Sequence, residues 1–368
     1  MKIKKIKIFT KSKNYTIVIG NNIIKNLKNY LSTNKVNSKK ISLIIDQNVP
    51  KKNIKIIKNN LKKYSIFIIN INTNEKVKNI NIVEKIVNQL LEKNFHRNDC
   101  VIAIGGGILG DIAAFSASII KRGIKFVNIP TTLLAQVDSS IGGKTGVNSK
   151  YGKNSIGSFY QPDLVISDIS FLKSLPKKQM ICGYAEILKH SLILNKKFFK
   201  WLLKNGTTIL NLENFDAIQK AIYESCKIKA EIVKKDENEK NLRAILNFGH
   251  TFAHAFEATN KLSKNINHGE AVLLGMMCAL EFAYLNKILK HSDLKLIKTN
   301  YKKLNLQMDI KNYFKNKNIR QIIEFMKSDK KNFNKNINLV LLKKIGLKPI
   351  INSYSTKKVE KFLTKKLN

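Results

Sequence analysis

Length, composition and charge limit the classes of protein open to this chain. It has 368 residues, of which 43% are hydrophobic and 25% are charged. That is enough for two domains with buried cores, and it argues against a disordered chain. No apolar run reaches the roughly 18 residues that cross a bilayer, and the basic N-terminus lacks the apolar stretch of a signal peptide. We expect a cytoplasmic protein without a membrane partner.

The formal net charge of +42 is the feature that most favours a nucleic-acid-binding module. Only four of the 67 basic residues are arginine, however, whose planar fork suits phosphates and bases. Lysine is spread along the whole chain among asparagine and isoleucine, as a bias toward adenine- and thymine-rich codons would produce. We interpret the charge as compositional drift and predict no nucleic-acid partner.

The cysteines give no sign of a disulfide framework or a zinc–thiolate site. The four residues are far apart and lack paired spacing; they are Cys100, Cys182, Cys226 and Cys278. We therefore predict buried, reduced thiols.

In chain order, the first half of the sequence alternates predicted strands with predicted helices. The elements are an opening hairpin over 3–9 and 15–19, strands at 41–46, 65–71 and 100–104, and helices near 50–63 and 79–93. This order predicts a mainly parallel sheet covered by helices. We assign residues 1–174 to a Rossmann-like α/β domain.

Beyond residue 175 the strand-like runs nearly vanish and helical periodicity takes over. The helical stretches are 178–204, 215–234, 241–260 and 268–287, followed by a short strand near 337–342 and a closing helix near 355–366. We assign residues 175–368 to an all-α C-terminal domain. The Lys- and Asn-rich stretches 51–64 and 310–337 keep apolar residues at helical spacing and are interpreted as solvated helix faces.

A glycine-rich segment at 105–111 follows a predicted strand and opens a predicted helix. Its G-x-G-x-x-G spacing lets the backbone approach a pyrophosphate, and the helix start supplies free N–H groups. The acid usual about 20 residues further on is missing, but Asp46 at an earlier strand end could hold the ribose. The segment favours a dinucleotide site with an unusual arrangement over a plain tight turn.

Three of the six histidines, His250, His254 and His268, crowd into one part of the chain. His250 and His254 are spaced i, i+4, so they share a helix face and suggest a two-histidine metal site. Thr251 stands where a metalloprotease needs glutamate, which argues against proteolysis. Glu186 could supply a third ligand and leave positions open for substrate oxygens. The alternative is a set of hydrogen-bonded histidines between packed helices.

A small-residue stretch around Lys144 is the main candidate for contact with a phosphate or a cofactor ring. The other candidates for binding an anionic substrate are Arg122, Lys229, Arg243 and Asn247. Any one of them could equally be a surface group.

Taken together, these motifs resemble the 3-dehydroquinate synthase family, in the family's order and over essentially the whole chain. The matching runs are 105–111, 130–140, 142–145, 152–154, 159–162, Ala185-Glu186 with Lys189, 247–251 and 268–270. One loop departs from the family, because its usual Asp-Gly-Glu-x-x-Lys reads Thr73-Asn74-Glu75-Lys76-Val77-Lys78 here. We expect this change to affect the loop backbone and NAD affinity more than the chemistry.

The resemblance implies an NAD-binding domain, a helical domain, a cleft between them and a homodimer. It implies conversion of 3-deoxy-D-arabino-heptulosonate 7-phosphate, a phosphorylated sugar acid, to 3-dehydroquinate and phosphate in the shikimate pathway. The cofactors would be NAD and one zinc or cobalt ion. The implied sequence is transient oxidation, phosphate elimination, reduction and intramolecular aldol closure. Other sugar-phosphate cyclases and metal-dependent polyol dehydrogenases, which release NADH, are the nearest alternatives.

The resemblance also implies a role for each matching residue. The metal ligands would be Glu186, His250 and His268, with His254 in a supporting role. The substrate contacts would be Lys144, Asn154, Lys189, Lys229, Arg243 and Asn247, with Arg122 reaching the partner subunit's phosphate site and Lys330, or its neighbour Lys331, on the phosphate. The NAD contacts would be Asp46, Thr73, Asn74, Glu75, Lys76, Val77, Lys78, Gly107, Ile108, Leu109, Gly110, Asp111, Thr131, Thr132, Lys144, Lys153, Phe171, Leu172, Lys173 and Ser174.

Overall fold

The computed structural model describes residues 2–260, 266–327 and 336–368 and divides the chain into two compact units. Unit 1 contains Met1–Met180 and Leu212–Lys240, and unit 2 contains Ile181–Asn211 and Asn241–Asn368. The sequence places a single boundary after residue 174. The structure differs in that the segment 212–240, which we assigned to the second domain, packs with unit 1.

The predicted strands and helices are present, and the structure adds elements that the sequence did not predict, including the sheet strands Lys125–Pro130 and Leu164–Asp168. The strands are β1 Lys4–Ile8, β2 Tyr15–Gly20, β3 Lys40–Asp46, β4 Ser65–Ile71, β5 Cys100–Gly105, β6 Lys125–Pro130, β7 Lys144–Ser149, β8 Gly152–Phe159, β9 Leu164–Asp168, β10 Asn336–Leu341 and β11 Ile350–Ser355. The helices are α1 Leu27–Thr33, α2 Lys51–Asn60, α3 Ile80–Glu92, α4 Gly107–Ile119, α5 Lys177–Leu194, α6 Lys196–Leu210, α7 Phe215–Lys235, α8 His250–Thr259, α9 His268–Leu285, α10 His291–Lys303, α11 Ile319–Lys327 and α12 Thr356–Leu367.

Unit 1 is built on a seven-stranded sheet with the order β1-β2-β9-β6-β5-β3-β4. Only β1 is antiparallel to its neighbour, which confirms the predicted mainly parallel sheet. From β3 the chain moves outward through α2 to β4, whereas from β5 it moves the opposite way through α4 to β6. The carboxyl ends of β3 and β5 therefore flank the topological switch point, where open α/β sheets leave a crevice for ligands.

Helices cover both faces of this sheet because consecutive strand residues point to opposite sides. In β3, Leu43 and Ile45 join the apolar layer that includes residues of helices α1 and α2. Ile44, between them, joins the layer that includes residues of helices α3 and α4. The central strands are thus buried on both faces, which explains their continuous apolar sequence.

Helix α7 belongs to unit 1 because one of its faces packs on β1 and β2. The buried side chain of Gln219 donates hydrogen bonds to the carbonyl oxygens of Lys2 (3.0 Å) and Ile19 (3.1 Å). A helical period in the sequence predicts the helix but does not say which unit receives its apolar face.

Unit 2 is helical, as predicted, with one addition. Strand β10 lies near the predicted strand and pairs with β11, which the sequence did not predict, as an antiparallel hairpin. Helix α9 is the one helix of the described ranges that is long and apolar enough to cross a membrane, but 72% of it is buried inside the protein. It is therefore the central core helix of this unit.

The four cysteines are buried free thiols, as predicted. Burial raises the pKa of the thiols of Cys182 and Cys278 to about 12. These thiols stay protonated at neutral pH and are poor nucleophiles.

Candidate functional site

The residues predicted to bind the nucleotide lie at one edge of the unit 1 sheet. Asp46 ends β3 and the glycine segment follows β5, so both are at the switch point. Because the strands are parallel, the segments after β4, β6 and β9 reach the same edge. These segments hold Thr73 to Lys78, Thr131 and Thr132, and Phe171 to Ser174, whereas the predicted contacts Lys144 and Lys153 lie on the β7–β8 hairpin.

The glycine segment forms the predicted strand–loop–helix turn. Gly106 is the N-cap of α4, and the first bond of the helix runs from Gly110 N to Gly106 O over 3.0 Å. The earlier N–H groups of the helix lack intrahelical partners and can face an anion. A Cβ on Gly105 would stand 3.0 Å from the Cβ of Asp46, so β3 and β5 need glycine here.

Asp46 holds its carboxylate at this edge through hydrogen bonds from its surroundings. It accepts from the backbone N and the Nδ2 of Asn48, both at 3.0 Å, and from the hydroxyl of Thr73. Asp46 is buried, so the carboxylate is fixed rather than free to move in solvent. This arrangement suits an acceptor for ribose hydroxyls.

The loop that departs from the family motif keeps a regular backbone. Asn74 is extended (φ −153°) and accepts hydrogen bonds from Lys76 N (2.9 Å) and Val77 N (3.3 Å). It thereby caps the 3₁₀ helix Glu75–Val77. An extended residue with a capping side chain does not need glycine, so the substitution is accommodated without strain.

A polar network joins this loop to α4 and to the β7–β8 hairpin. The buried Lys78 ammonium donates to Asp111 Oδ2 (2.6 Å) and Asn154 Oδ1 (2.5 Å). Asn154 N donates to Asn148 Oδ1 (2.9 Å), and Asn148 Nδ2 donates to Glu75 Oε1 (2.8 Å). Burial raises the pKa of Asp111 even though Lys78 acts in the opposite direction. Predicted NAD and substrate contacts of unit 1 thus share one network, to which Asn148 is an unpredicted addition.

Two further predicted cations of unit 1 are paired with acids. The buried Lys229 ammonium donates to Asp138 Oδ1 (2.6 Å) and to its carbonyl oxygen (2.7 Å). Asp138 lies in a π-helical turn, Ala135–Ser139, a distortion that is frequent at functional sites. Lys144 forms an ion pair with Glu239. The sequence reasoning did not single out Glu239, because nothing in its spacing relates it to a lysine so far away.

The other predicted residues of unit 1 lie outside these clusters. Lys153 and Lys173 are exposed, and Arg122 is exposed in a left-handed conformation (φ 64°) after α4. The predicted phosphate contact Lys330, and its neighbour Lys331, lie outside the described residues.

The three carboxylate and imidazole groups implied as metal ligands meet in unit 2. Ligand atoms of Glu186, His250 and His268 all lie within 4.8 Å of one another. The distance from His250 Nε2 to Glu186 Oε1 is 3.7 Å. Two ligands held at about 2.1 Å by a tetrahedral ion stand roughly 3.4 Å apart, so the spacing fits one divalent ion.

The electrostatics of Glu186 also fit a cation. Its carboxylate oxygens are buried and accept no hydrogen bond from the residues that the structure describes. The ammonium of Lys189, itself buried, forms an ion pair with this carboxylate. A buried carboxylate requires a positive charge beside it, which Lys189 supplies on the Oε2 side, while Oε1 is the oxygen nearest to His250 Nε2.

The two histidines present matching nitrogen atoms to this site. His250 Nδ1 lies 3.4 Å from the carbonyl oxygen of Phe248, and His268 Nδ1 lies 3.4 Å from Glu257 Oε2. Both oxygens can only accept, so a hydrogen on each Nδ1 would leave the lone pair of each Nε2 for a metal. Burial favours the neutral ring of His268, but the Glu257 carboxylate outweighs it and raises the pKa of that ring.

His254, which the spacing paired with His250, is not among the residues whose ligand atoms cluster with Glu186 and His250. The ring of His254 stands edge-on to that of His250, with centroids 5.3 Å apart, and His254 is exposed. The ligand atoms that come together are those implied by the family resemblance. Arg243 is buried, and it lies with Asn247 in the 3₁₀ helix Leu242–Asn247 just before α8.

Glycines bring the three ligand-bearing helices close together. A Cβ on Gly269 of α9 would stand 2.2 Å from Cys182 Cα of α5. A Cβ on Gly275 of α9 would stand 2.2 Å from the carbonyl oxygen of Gly249, which precedes α8. Gly249 also has φ 82°, a value that favours glycine. No larger residue fits at these contacts without moving a helix.

A capping box fixes the point at which α9 begins. Asn267 Oδ1 accepts from Glu270 N and Glu270 Oε2 accepts from Asn267 N, both at 2.9 Å. His268 is therefore held on the first residue of the helix. The pattern Asn267-x-x-Glu270 is visible in the sequence, and it is the signal that could have located this helix start.

Comparisons with known proteins give a consistent result. Models of the families "3-dehydroquinate synthase N-terminal" and "3-dehydroquinate synthase C-terminal" match residues 68–182 and 183–332. A 3-dehydroquinate synthase of Pelagibacter ubique (strain HTCC1062) is 54% identical over 367 residues, covering 100% of both chains.

Solved structures with the same fold are more distant in sequence. A 2-deoxy-scyllo-inosose synthase complexed with carbaglucose-6-phosphate, NAD+ and Co2+ has a TM-score of 0.87 at 23% identity, covering 99% of this chain and 100% of that chain. A 2-epi-5-epi-valiolone synthase from Streptomyces hygroscopicus subsp. jinggangensis 5008, with NAD+ and Zn2+ bound, has a TM-score of 0.85 at 23% identity, covering 97% and 98%. At this identity the likeness concerns the fold alone.

The packing of α9 on α5 leads to a first prediction. Gly269→Ala places a methyl group against the Cys182 backbone, so we expect the free energy of unfolding to fall by about 1–3 kcal/mol. The start of α9 must shift, and zinc retained after dialysis should fall with it. Denaturant unfolding and metal analysis measure the two effects.

Gly152→Ala is the matched control, because a Cβ at Gly152 meets nothing within 4 Å. If Gly269→Ala matched this control in stability and in zinc content, the close contact would not control the site.

Proposed function

The chain belongs to the 3-dehydroquinate synthase family and has the activity of that family, and we propose that it acts with NAD and one zinc or cobalt ion. The reaction converts 3-deoxy-D-arabino-heptulosonate 7-phosphate to 3-dehydroquinate and phosphate. The observation that carries the cofactor proposal is the cluster of Glu186, His250 and His268, with ligand atoms within 4.8 Å of one another.

The proposed metal site leaves room for substrate. Glu186, His250 and His268 would supply three protein ligands, the number typical of catalytic zinc sites that keep a position open. When bound, the ion would polarise substrate oxygens and stabilise negative charge that develops on them. Lys189, ion-paired with Glu186, would keep a positive charge beside those oxygens.

We assign the nucleotide to the sheet edge of unit 1. The start of α4 would receive the pyrophosphate, and the Asp46 carboxylate would accept hydrogen bonds from ribose hydroxyls. Bound NAD would take a hydride from the substrate and later return it, so that it is not consumed. The network of Lys78, Asp111 and Asn154 would keep the surrounding loops in place.

The buried cations support a doubly anionic substrate. Lys189 is 2% exposed, Lys229 is 5% exposed and Arg243 is 2% exposed, so each acts in a low-dielectric setting. Cations of this kind suit a phosphate and a carboxylate better than an uncharged polyol. We assign the substrate contacts to Lys144, Asn154, Lys189, Lys229, Arg243, Asn247 and His254, and the phosphate contacts of the assembled enzyme to Arg122 and Lys330.

The remaining parts of the proposal concern assembly and location. We propose a cytoplasmic homodimer in which the exposed Arg122 reaches the phosphate site of the partner subunit. Arg122 is exposed and ends the 3₁₀ turn Ile120–Arg122 that follows α4. The high positive charge is assigned no nucleic-acid or membrane partner.

The reaction itself gives the decisive test. Incubation of the enzyme with the heptulosonate phosphate, NAD and zinc should release one phosphate for each dehydroquinate formed. Absorbance at the NADH maximum should not rise during turnover, because the hydride returns to the substrate. Steady accumulation of NADH would instead indicate a polyol dehydrogenase.

Asp46→Ala tests the nucleotide site. Loss of the carboxylate should weaken NAD binding about tenfold, the effect of a lost hydrogen bond to a charged group. Calorimetric titration of NAD measures the dissociation constant. Glu92→Gln is the control, since this exposed acid ends α3, at the opposite edge of the sheet. Unchanged NAD affinity in Asp46→Ala would remove Asp46 from the site.

Glu186→Ala tests the ligand set. We expect metal content and activity to be lost together, because the cluster then keeps only its two histidines. Glu324→Ala, at an exposed position of α11, should keep both. Full zinc content in Glu186→Ala would mean that the ligands are other residues.

A further inference from the structure

Glu257 lies on the helix that carries His250, but it contacts a ligand from another helix. It follows His250 by seven residues on α8, two helical turns further along the same face. Its side chain is 13% exposed, and its Oε2 lies 3.4 Å from Nδ1 of His268 on α9. The contact therefore joins α8 and α9 at the proposed metal site.

The chemistry of this contact fixes both the hydrogen and the orientation of the His268 ring. An ionised carboxylate only accepts, so the hydrogen must be on Nδ1 and the lone pair on Nε2. A carboxylate behind a metal-binding imidazole also makes the ring a stronger donor, because it stabilises positive charge on the ring. Without Glu257, the ring could rotate or change its tautomer.

The other histidine of the cluster is held in a different way. His250 Nδ1 faces the uncharged carbonyl oxygen of Phe248 at 3.4 Å. The oxygen beside Nδ1 of His250 is thus an uncharged carbonyl, whereas the one beside Nδ1 of His268 belongs to a carboxylate. His268 is also the more exposed of the two, with 34% of its side chain accessible against 12% for His250. His268, the more exposed ligand, is thus the one with the Glu257 carboxylate beside its Nδ1.

We propose that Glu257 is a positioning residue for the metal, and that its carboxylate holds His268 with Nε2 directed at the ion. This inference rests on the proposed function, because it takes Glu186, His250 and His268 as the ligands. In this proposal Glu257 is not itself a metal ligand and acts through His268.

Two substitutions separate the geometric part of this role from the electrostatic part. Glu257→Gln keeps the length of the side chain and an amide oxygen that can accept from Nδ1, but it removes the charge. Glu257→Ala removes both. Loss of such a partner lowers metal affinity by roughly 10–100-fold. We expect Glu257→Ala to fall in this range and Glu257→Gln to lie between it and the wild-type protein.

The experiment titrates the full-length, metal-free protein with zinc in competition with a chromophoric chelator. The wild-type protein, the two Glu257 variants, Glu186→Ala and the surface control Glu324→Gln are compared. Cobalt-loaded samples add a spectroscopic readout, because the visible absorption of cobalt reports the geometry of its ligands. A shifted cobalt spectrum in Glu257→Ala, partly restored in Glu257→Gln, supports the positioning role.

A merely structural role gives a different result. If Glu257 only ties α8 to α9, the metal-free variants lose stability in denaturant while the zinc dissociation constant and the cobalt spectrum stay as in the wild-type protein. A dissociation constant of Glu257→Ala that stays indistinguishable from wild type overturns the inference. Glu186→Ala distinguishes failure of the positioning role from failure of the ligand set. If Glu186→Ala loses zinc and Glu257→Ala does not, only the role of Glu257 fails. If Glu186→Ala binds zinc normally, the ligand set itself fails.

Discussion

The candidate metal cluster depends on how closely three helices of unit 2 can approach one another. Each ligand comes from a different helix, and none of the three helices could place its ligand without the contacts at Gly249, Gly269 and Gly275. There a Cβ would lie 2.2 to 2.6 Å from backbone atoms of the facing segment. Packed interiors do not deform continuously, so the ligand distances follow from these backbone contacts more than from the ligand side chains.

In unit 1 the corresponding constraint is the direction of the strands. Parallel strands bring their carboxyl ends to one edge, and the reversal of chain direction between β3 and β5 opens the crevice there. The charged groups at this edge are held in pairs, Lys78 with Asp111 and Lys229 with Asp138. The edge therefore presents polar groups in defined positions before any ligand binds.

The sequence predicted most of this fold, because hydrophobic periodicity reports local structure well. It did not predict the unit to which α7 belongs. Amphipathic periodicity identifies an apolar face of a helix but not the surface on which that face packs. Hairpin β7–β8 was missed because its small residues and glycines, such as Gly146 and Gly157, obscure the alternation of a strand. Strand β11 was missed as well, being mostly exposed and without a clear apolar face.

The site was predicted less evenly. Spacing alone favoured His250 with His254, because sequence distance reports one helix face and not the meeting of three helices. The family motifs implied Glu186, His250 and His268, which the structure brings together. Neither the spacing nor the family motifs pointed to Glu239 or Glu257. Glu239 pairs with a residue that is distant in sequence and Glu257 with a residue on another helix, and such pairs form only in the folded chain.

The loop at Asn74 shows where the fold accepts a side chain in place of glycine. The chain has only 17 glycines in 368 residues, fewer than the roughly 7% of average proteins, as expected if guanine-rich codons are being lost. At position 74 the backbone is extended and the asparagine side chain caps the turn, so this position does not require glycine. At Gly249, Gly269 and Gly275 no such exchange is open, because a single methyl group would meet backbone. Gly249, Gly269 and Gly275 are therefore fixed by contacts with backbone, whereas Gly152, at which a Cβ would meet nothing within 4 Å, is not.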